Sequence, residues 1–212
     1  MFISLNGPDN VGKTTHLRLL ASRFPNVQPL GSVHEHHAAA WKQVAGEGYA
    51  TWWFEESTTA ELTGLLLDSY ERRSGALERG RVGLLDRGLP MLIAVSAATA
   101  SVKEGSSPAE ALTAVEGIAA FRVLAPEVPV LLLPSLDTER SYAITSAREG
   151  RPWTGVYPAY QRTLHAVLLH QAERGAYVGV VDCEGKSIEQ VQADVVTITG
   201  SVLLPSTDAE DS

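Results

Sequence analysis

The chain has 212 residues, 44% of them hydrophobic and 20% charged, which suits one α/β domain with a substantial core and excludes an extended disordered chain. A formal net charge of −8 speaks against a surface built for nucleic acid or anionic lipid. The single cysteine, Cys183, excludes an internal disulfide, and no stretch reaches the roughly 18 apolar residues needed to span a bilayer.

The N-terminal run "MFISLN" predicts a short buried strand over residues 2–5, with no basic leader before it, so a reducing cytoplasm is the expected setting. A helix follows over about 13–24, stopped by Pro25, and a second strand is expected over 27–33, weakened by Pro29 and Gly31. Apolar residues at helical spacing predict a long helix over about 57–78, with Ser57 as N-cap and Gly80 as stop. "RVGLLDRG" has the form of a buried parallel strand that delivers Asp86 and Arg87 at its carboxyl end. Helices are expected over 91–102 and 109–124, and a strong strand over 128–134. A polar, arginine-bearing loop then precedes a helix over 156–174, a last strand over 176–182 and an amphipathic helix from 187. This alternation predicts a parallel sheet of about five strands with helices on both faces, ligands lying beyond the carboxyl ends of the strands. A single domain is expected over residues 1–200, with an acidic, frayed tail over 201–212.

"GPDNVGKTT" carries the most specific signal. Gly7 and Gly12 stand at the spacing G-x-x-x-x-G-K-T, between a strand and a helix. Such a loop turns successive N–H groups toward phosphate oxygens at the positive end of the helix. Lys13 is then placed to bridge the β- and γ-phosphates of ATP, and Thr14 to ligate Mg²⁺. Asp9, Asn10, Val11 and Thr15 complete the loop, with Asp9 a candidate for the acceptor side as well. Asp86 fits the second acid that serves Mg²⁺, directly or through water, with a capping role as the alternative. Arg87 stays charged and suits bidentate contact with an anion. Arg148 and Arg151 lie on a glycine-hinged segment, about 140–155, able to close over a transferring phosphoryl group; ordinary surface arginines are the plainer reading.

These segments, followed by "VVDCEGKSIEQV", resemble in order the thymidylate kinases and their deoxynucleoside kinase relatives. The resemblance implies a phosphate-loop kinase fold and transfer of the ATP γ-phosphoryl group to a nucleotide or nucleoside. Lys13, Thr14 and Asp86 would serve Mg-ATP, Arg87 the acceptor, Arg148 and Arg151 the lid, and the loop from Asp182 to Lys186 would pass close to the adenine. It also implies pairing as a homodimer, with 91–102 and 65–70 as candidate interfaces. Where thymidylate kinases have Arg-Glu-Pro after the second strand, this chain has "VHEHH". The arginine that family carries on the preceding helix is missing from "TGLLLDSY", with Arg72 and Arg73 a turn or two later.

The acceptor side is therefore the less legible half. By the same resemblance Glu35 stands where the nucleoside kinases use a carboxylate as general base on a hydroxyl; a phosphate acceptor needs none, yet both branches carry a glutamate there. His34 and His36 beside it suit a polar wall of the acceptor pocket better than a metal site. Trp53 is either a stacking surface for a base or part of the core, and Tyr157 either packs on the lid hinge or reaches the acceptor. The preferred acceptor is a nucleoside monophosphate. A hydroxyl kinase using Glu35 and a nucleotide-dependent switch without a small acceptor are the alternatives.

Overall fold

A computed structural model describes residues 1–45, 48–150 and 152–203. Its elements run β1 (Phe2–Asn6), α1 (Lys13–Arg23), β2 (Val27–Pro29), α2 (Val33–His36), α3 (Ala38–Ala45) and α4 (Tyr49–Thr51). A wide helical turn, Trp52–Glu56, leads into α5 (Thr59–Gly75), β3 (Val82–Asp86), α6 (Leu89–Glu104) and α7 (Pro108–Ala119). Then come β4 (Glu127–Leu133), α8 (Thr138–Glu149), α9 (Tyr157–Glu173), β5 (Gly179–Asp182) and α10 (Ile188–Leu203).

The five strands form one parallel sheet in the order β2-β3-β1-β4-β5. The chain leaves β1 toward β2 and later crosses to β4, so the order reverses at β1, and a crevice opens between the carboxyl ends of β1 and β3. Register pairs Leu5 with Asp86, which puts the glycine loop beside the Asp86-Arg87 turn.

Alternation along β1 separates the two faces. Ile3 and Leu5 pack with Leu17 and Leu20 of α1 and Val191 and Val195 of α10. Phe2 points the other way, into the larger cluster of α5, α6, α7 and α9. Ser4 and Asn6 share that second face and are fully buried. Asn6 meets its cost by hydrogen bonding: Nδ2 donates to Ser4 Oγ at 2.8 Å and to the Val130 carbonyl at 3.2 Å. Its Oδ1 accepts the Gly88 N–H at 2.8 Å. Ser4 donates to Glu127, whose other oxygen accepts the Tyr70 hydroxyl at 2.8 Å and the Leu89 N–H at 3.1 Å. A buried polar thread thus fixes the start of α6 against β1 and β4.

Several local expectations are corrected. The second strand ends at Pro29, because Ser32 caps α2 and the "VHEH" segment is helical. Glu35 therefore sits on a helix rather than at a strand end. The N-cap of α5 is Thr58, which forms a reciprocal box with Glu61, while the Ser57 hydroxyl turns back to the Trp53 carbonyl at 3.2 Å. That helix ends at Gly75, well before Gly80. The first part of the segment expected to form a lid is a helix, α8, capped by Asp137 and closed by Gly150 at φ 74°, not a loop. The proposed pairing faces are taken within the chain: α6 is enclosed by α5, α7 and α9, and Leu66, Leu67 and Tyr70 of α5 are buried. Helix α10 runs three residues into the expected tail, and 204–212 lie outside the described residues. No helix among the described residues is long and apolar enough to cross a membrane.

Candidate active site

The phosphate loop has the backbone its glycines predict. Gly7 adopts φ 133°, and a Cβ there would lie 2.1 Å from the Leu132 carbonyl oxygen. Gly12, at φ 106°, begins α1 with no side-chain cap, so the first-turn N–H groups are free to bind an anion. They face a cleft of about 380 Å³ lined by Asn10, Gly12, Lys13, Thr14, Thr15 and Arg148. A second cleft of about 260 Å³ continues from Asn10, Val11 and Thr15 past His16 to Cys183, Lys186 and Ile188. The Lys13 ammonium is buried and folds back on the carbonyls of Gly7 (2.9 Å) and Pro8 (2.7 Å). Burial, with the Arg87 guanidinium beside it, pulls its pKa down to about 8.

Thr14 Oγ1 donates to Asp86 Oδ2 at 2.5 Å. This hydroxyl and carboxylate are hard oxygen donors at the mouth of the phosphate cleft. They suit Mg²⁺, which takes one or two protein ligands and fills the rest of its octahedron with water and phosphate. Among the described residues no group of three or more His, Cys, Asp or Glu side chains is placed to hold a metal ion.

Arg87 has a left-handed backbone, φ 67°, and its guanidinium pairs with Asp9. Asp9 also accepts the Tyr157 hydroxyl at 2.7 Å and Gln161 Nε2 at 3.4 Å. Burial raises the Asp9 pKa, but Arg87, Lys13 and the hydrogen bonds from Tyr157 and Gln161 together outweigh it and hold the carboxyl below its ordinary value. For Arg87 burial works downward, but Asp9, Tyr160, Asp86 and Tyr157 together outweigh it, so the guanidinium is firmly charged. Asp9 thus belongs to the arginine side of the site; it does not line the phosphate cleft.

A cavity of about 440 Å³ opens at Thr14, Asp86 and Arg87 and extends past Gly31, His34 and Glu35 to Trp53, Leu66, Leu92 and Val95. His34 Nε2 and the Tyr49 hydroxyl lie 2.9 Å apart, and the His34 ring centroid is 4.3 Å from that of Trp41. Burial and Arg87 both hold His34 toward its neutral form. Trp53 is buried, stacks on Trp41 and donates its indole N–H to Thr99 Oγ1 at 2.9 Å; it is at once core residue and cavity wall.

Other expected residues are engaged in local contacts or stand apart from the clefts. The Glu35 carboxylate accepts from the Ser32 hydroxyl (3.0 Å) and N–H (3.4 Å), capping α2. His36 bonds the Leu30 carbonyl and leaves the cavity. Arg72 is exposed and lines neither cleft, whereas Arg73 is buried. Arg148 Nη1 donates to the Asn10 carbonyl at 3.0 Å, and Asn10 Nδ2 to Glu149 at 2.8 Å, so α8 already rests on the phosphate loop. Arg151 lies outside the described residues. Asp182 accepts the Glu184 N–H at 3.0 Å and shapes the turn, while its neighbour Cys183 lines the cleft. Lys186, at the end of the expected loop, lines the second cleft, and Gln161 and His16 are the residues that sequence reasoning missed. Gln161 was within reach, one helical turn beyond Tyr157 on the same face.

No family model matches the chain, and no curated protein does. Solved structures match closely in shape. Thymidylate kinase from Candida albicans aligns at TM-score 0.60 and 15% identity, over 95% of this chain and 91% of that one. Deoxyadenosine kinase from M. mycoides with bound dATP gives TM-score 0.60 and 14% identity, over 95% and 99%. Thymidylate kinase from Ehrlichia chaffeensis gives TM-score 0.54 and 13% identity, over 94% and 98%. Phosphate loop, parallel sheet and paired clefts together with these likenesses show that the chain has the fold of the thymidylate and deoxynucleoside kinases.

Proposed function

We propose that this protein is a phosphotransferase that moves the γ-phosphoryl group of ATP to a nucleotide or nucleoside, with a nucleoside monophosphate as the preferred acceptor. The observation that carries the reading is that the phosphate cleft and the 440 Å³ cavity both include Thr14, with Asp86 and Arg87 at the junction. A transferring phosphoryl group would lie there, between a donor on the glycine loop and an acceptor in the cavity. Mg²⁺ held at Thr14 and Asp86 would neutralise charge on the β- and γ-oxygens.

The chain's own residues then divide the work. First-turn N–H groups of α1 and Lys13 bind the donor phosphates; Lys13 must give up its carbonyl partners to do so. Arg87 exchanges part of its pairing with Asp9 for an acceptor oxygen, and Arg148 adds a positive charge from the lid side. Donor and acceptor are held in line by two rigid strand ends, which supplies much of the rate through proximity.

Glu35 favours the phosphate acceptor over a hydroxyl. Its carboxylate is engaged in the cap of α2, so the base that a hydroxyl would need is committed elsewhere. A second cavity adjoining the nucleotide cleft likewise favours a small acceptor over the switch reading. Any homodimer would have to use surfaces other than α6 and the buried face of α5. The test is ADP release with Mg-ATP against nucleosides, each beside its 5′-monophosphate. Turnover with monophosphates alone is expected; turnover with free nucleosides alone would make Glu35 the base after all.

A further inference from the structure

Arg73 is the largest fully buried side chain in the described structure, yet it carries a charge and has no carboxylate in direct contact. Its partners are backbone carbonyls. Nη2 donates to the Arg87 carbonyl at 2.7 Å, and Nη1 to those of Asp86 at 3.1 Å and Gly31 at 3.5 Å. The guanidinium lies 5.6 Å from the Tyr70 ring centroid, and Tyr70 is itself anchored on Glu127. Burial lowers its pKa to about 10, with Glu127, Tyr70 and Asp86 opposing, so it keeps its proton at neutral pH.

The turn it grips needs holding. Arg87 stands in left-handed backbone, which residues with a Cβ disfavour and which persists only where the surroundings determine it. On one side the turn's N–H groups are fixed by β1: Arg87 N–H bonds the Leu5 carbonyl at 3.0 Å, and Gly88 N–H bonds Asn6. On the other side its carbonyls are fixed by Arg73. The left-handed step sends the Asp86 side chain toward Thr14 and the Arg87 side chain toward Asp9, so the two functional groups diverge from adjacent residues. Through Gly31, just before the Ser32 cap of α2, the same guanidinium ties this turn to the segment that carries His34 into the cavity.

We infer that Arg73 is a positioning residue for acceptor recognition: its buried guanidinium, bonded to the carbonyls of Gly31, Asp86 and Arg87, sets the direction in which Arg87 meets the acceptor. The inference rests on the phosphotransferase reading for its kinetic consequence, but not for its structural one. A neutral side chain of similar length leaves three carbonyls without a donor and frees the turn, while the phosphate loop, held by β1 and α1, is untouched.

The test compares wild type with Arg73→Met and Arg73→Lys by amide hydrogen exchange and by kinetics. In Arg73→Met, exchange in the segment 84–92 should rise at least about tenfold, with protection in α1 and affinity for a fluorescent ATP analogue changed less than about threefold. KM for the best monophosphate should rise about tenfold or more, and Arg73→Lys, which keeps the charge and one donor, should recover part of both effects. If Arg73→Met does not fold, Arg73→Lys decides alone, with smaller changes in the same segment and in KM. Unchanged exchange over 84–92, or a loss of ATP affinity equal to the loss of acceptor affinity, overturns the inference. Wild type without turnover on any acceptor would refute the phosphotransferase reading and leave the exchange result to stand separately.

Discussion

The Thr14 hydroxyl donates to the Asp86 carboxylate across 2.5 Å, joining the first turn of α1 to the end of β3. Two elements far apart in sequence thereby share one polar contact where the phosphate cleft and the 440 Å³ cavity meet. Asp86→Asn should lower kcat by about 10²–10³-fold, the size found when one preorganised charge-stabilising group is lost, and should raise the Mg²⁺ concentration needed for half-maximal rate. Steady-state rates in a Mg²⁺ titration check this, with affinity for metal-free ATP as the control, which should be retained.

Lys13 makes nucleotide binding depend on pH in a predictable direction. Its pKa in the free protein is about 8, and bound phosphates favour the protonated form, so binding above pH 8 must take up a proton. ATP affinity should therefore be flat below about pH 7 and fall above pH 8, by at most tenfold per pH unit. Calorimetry in two buffers of different ionisation enthalpy should show net proton uptake at pH 9, and Lys13→Met should abolish it.

Tyr157 holds Asp9 from the side opposite Arg87. In Tyr157→Phe the carboxylate loses a charge-assisted bond worth about 1.5–3 kcal/mol, so Asp9 should pair more tightly with Arg87 and compete better with an acceptor anion. Acceptor KM should rise about three- to tenfold while ATP affinity stays within about twofold. Equal shifts in both constants would place Tyr157 outside this role.

Asn6 is the keystone of the buried polar thread. Asn6→Ala leaves the Gly88 N–H and the Val130 carbonyl without their side-chain partner in a fully enclosed site. The expected cost is about 2–3 kcal/mol, a Tm lower by roughly 4–12 °C for a chain of this size. Differential scanning calorimetry measures it directly.

The phosphate-loop half of the candidate site was legible because its backbone demands are local. Gly7, Gly12, Lys13 and Thr14 sit in one short stretch whose backbone demands name the residues, and the run before Asp86 has the all-apolar pattern of a central parallel strand. The cavity half was not, because it is assembled from α2, α5, α6 and the turn at Trp53, which no short pattern unites. Glu35 shows the difficulty: three residues after Ser32 it satisfies a capping box, and that local preference prevailed over the role suggested by its neighbours. Arg73 shows what could have been read. It falls in register with Leu62, Leu66, Ser69 and Tyr70, the inward stripe of α5, whereas the adjacent Arg72 faces solvent. Helical spacing alone would have chosen between them.

The most direct test of the central claim follows the γ-phosphoryl group itself. The protein is incubated with γ-labelled Mg-ATP and an acceptor mixture of nucleosides and 5′-monophosphates, and the label is traced by chromatography. Label on a nucleoside diphosphate other than ADP, lost in Asp86→Asn, is the predicted result. Label that remains on ATP, or appears only as inorganic phosphate whatever acceptor is present, would contradict it.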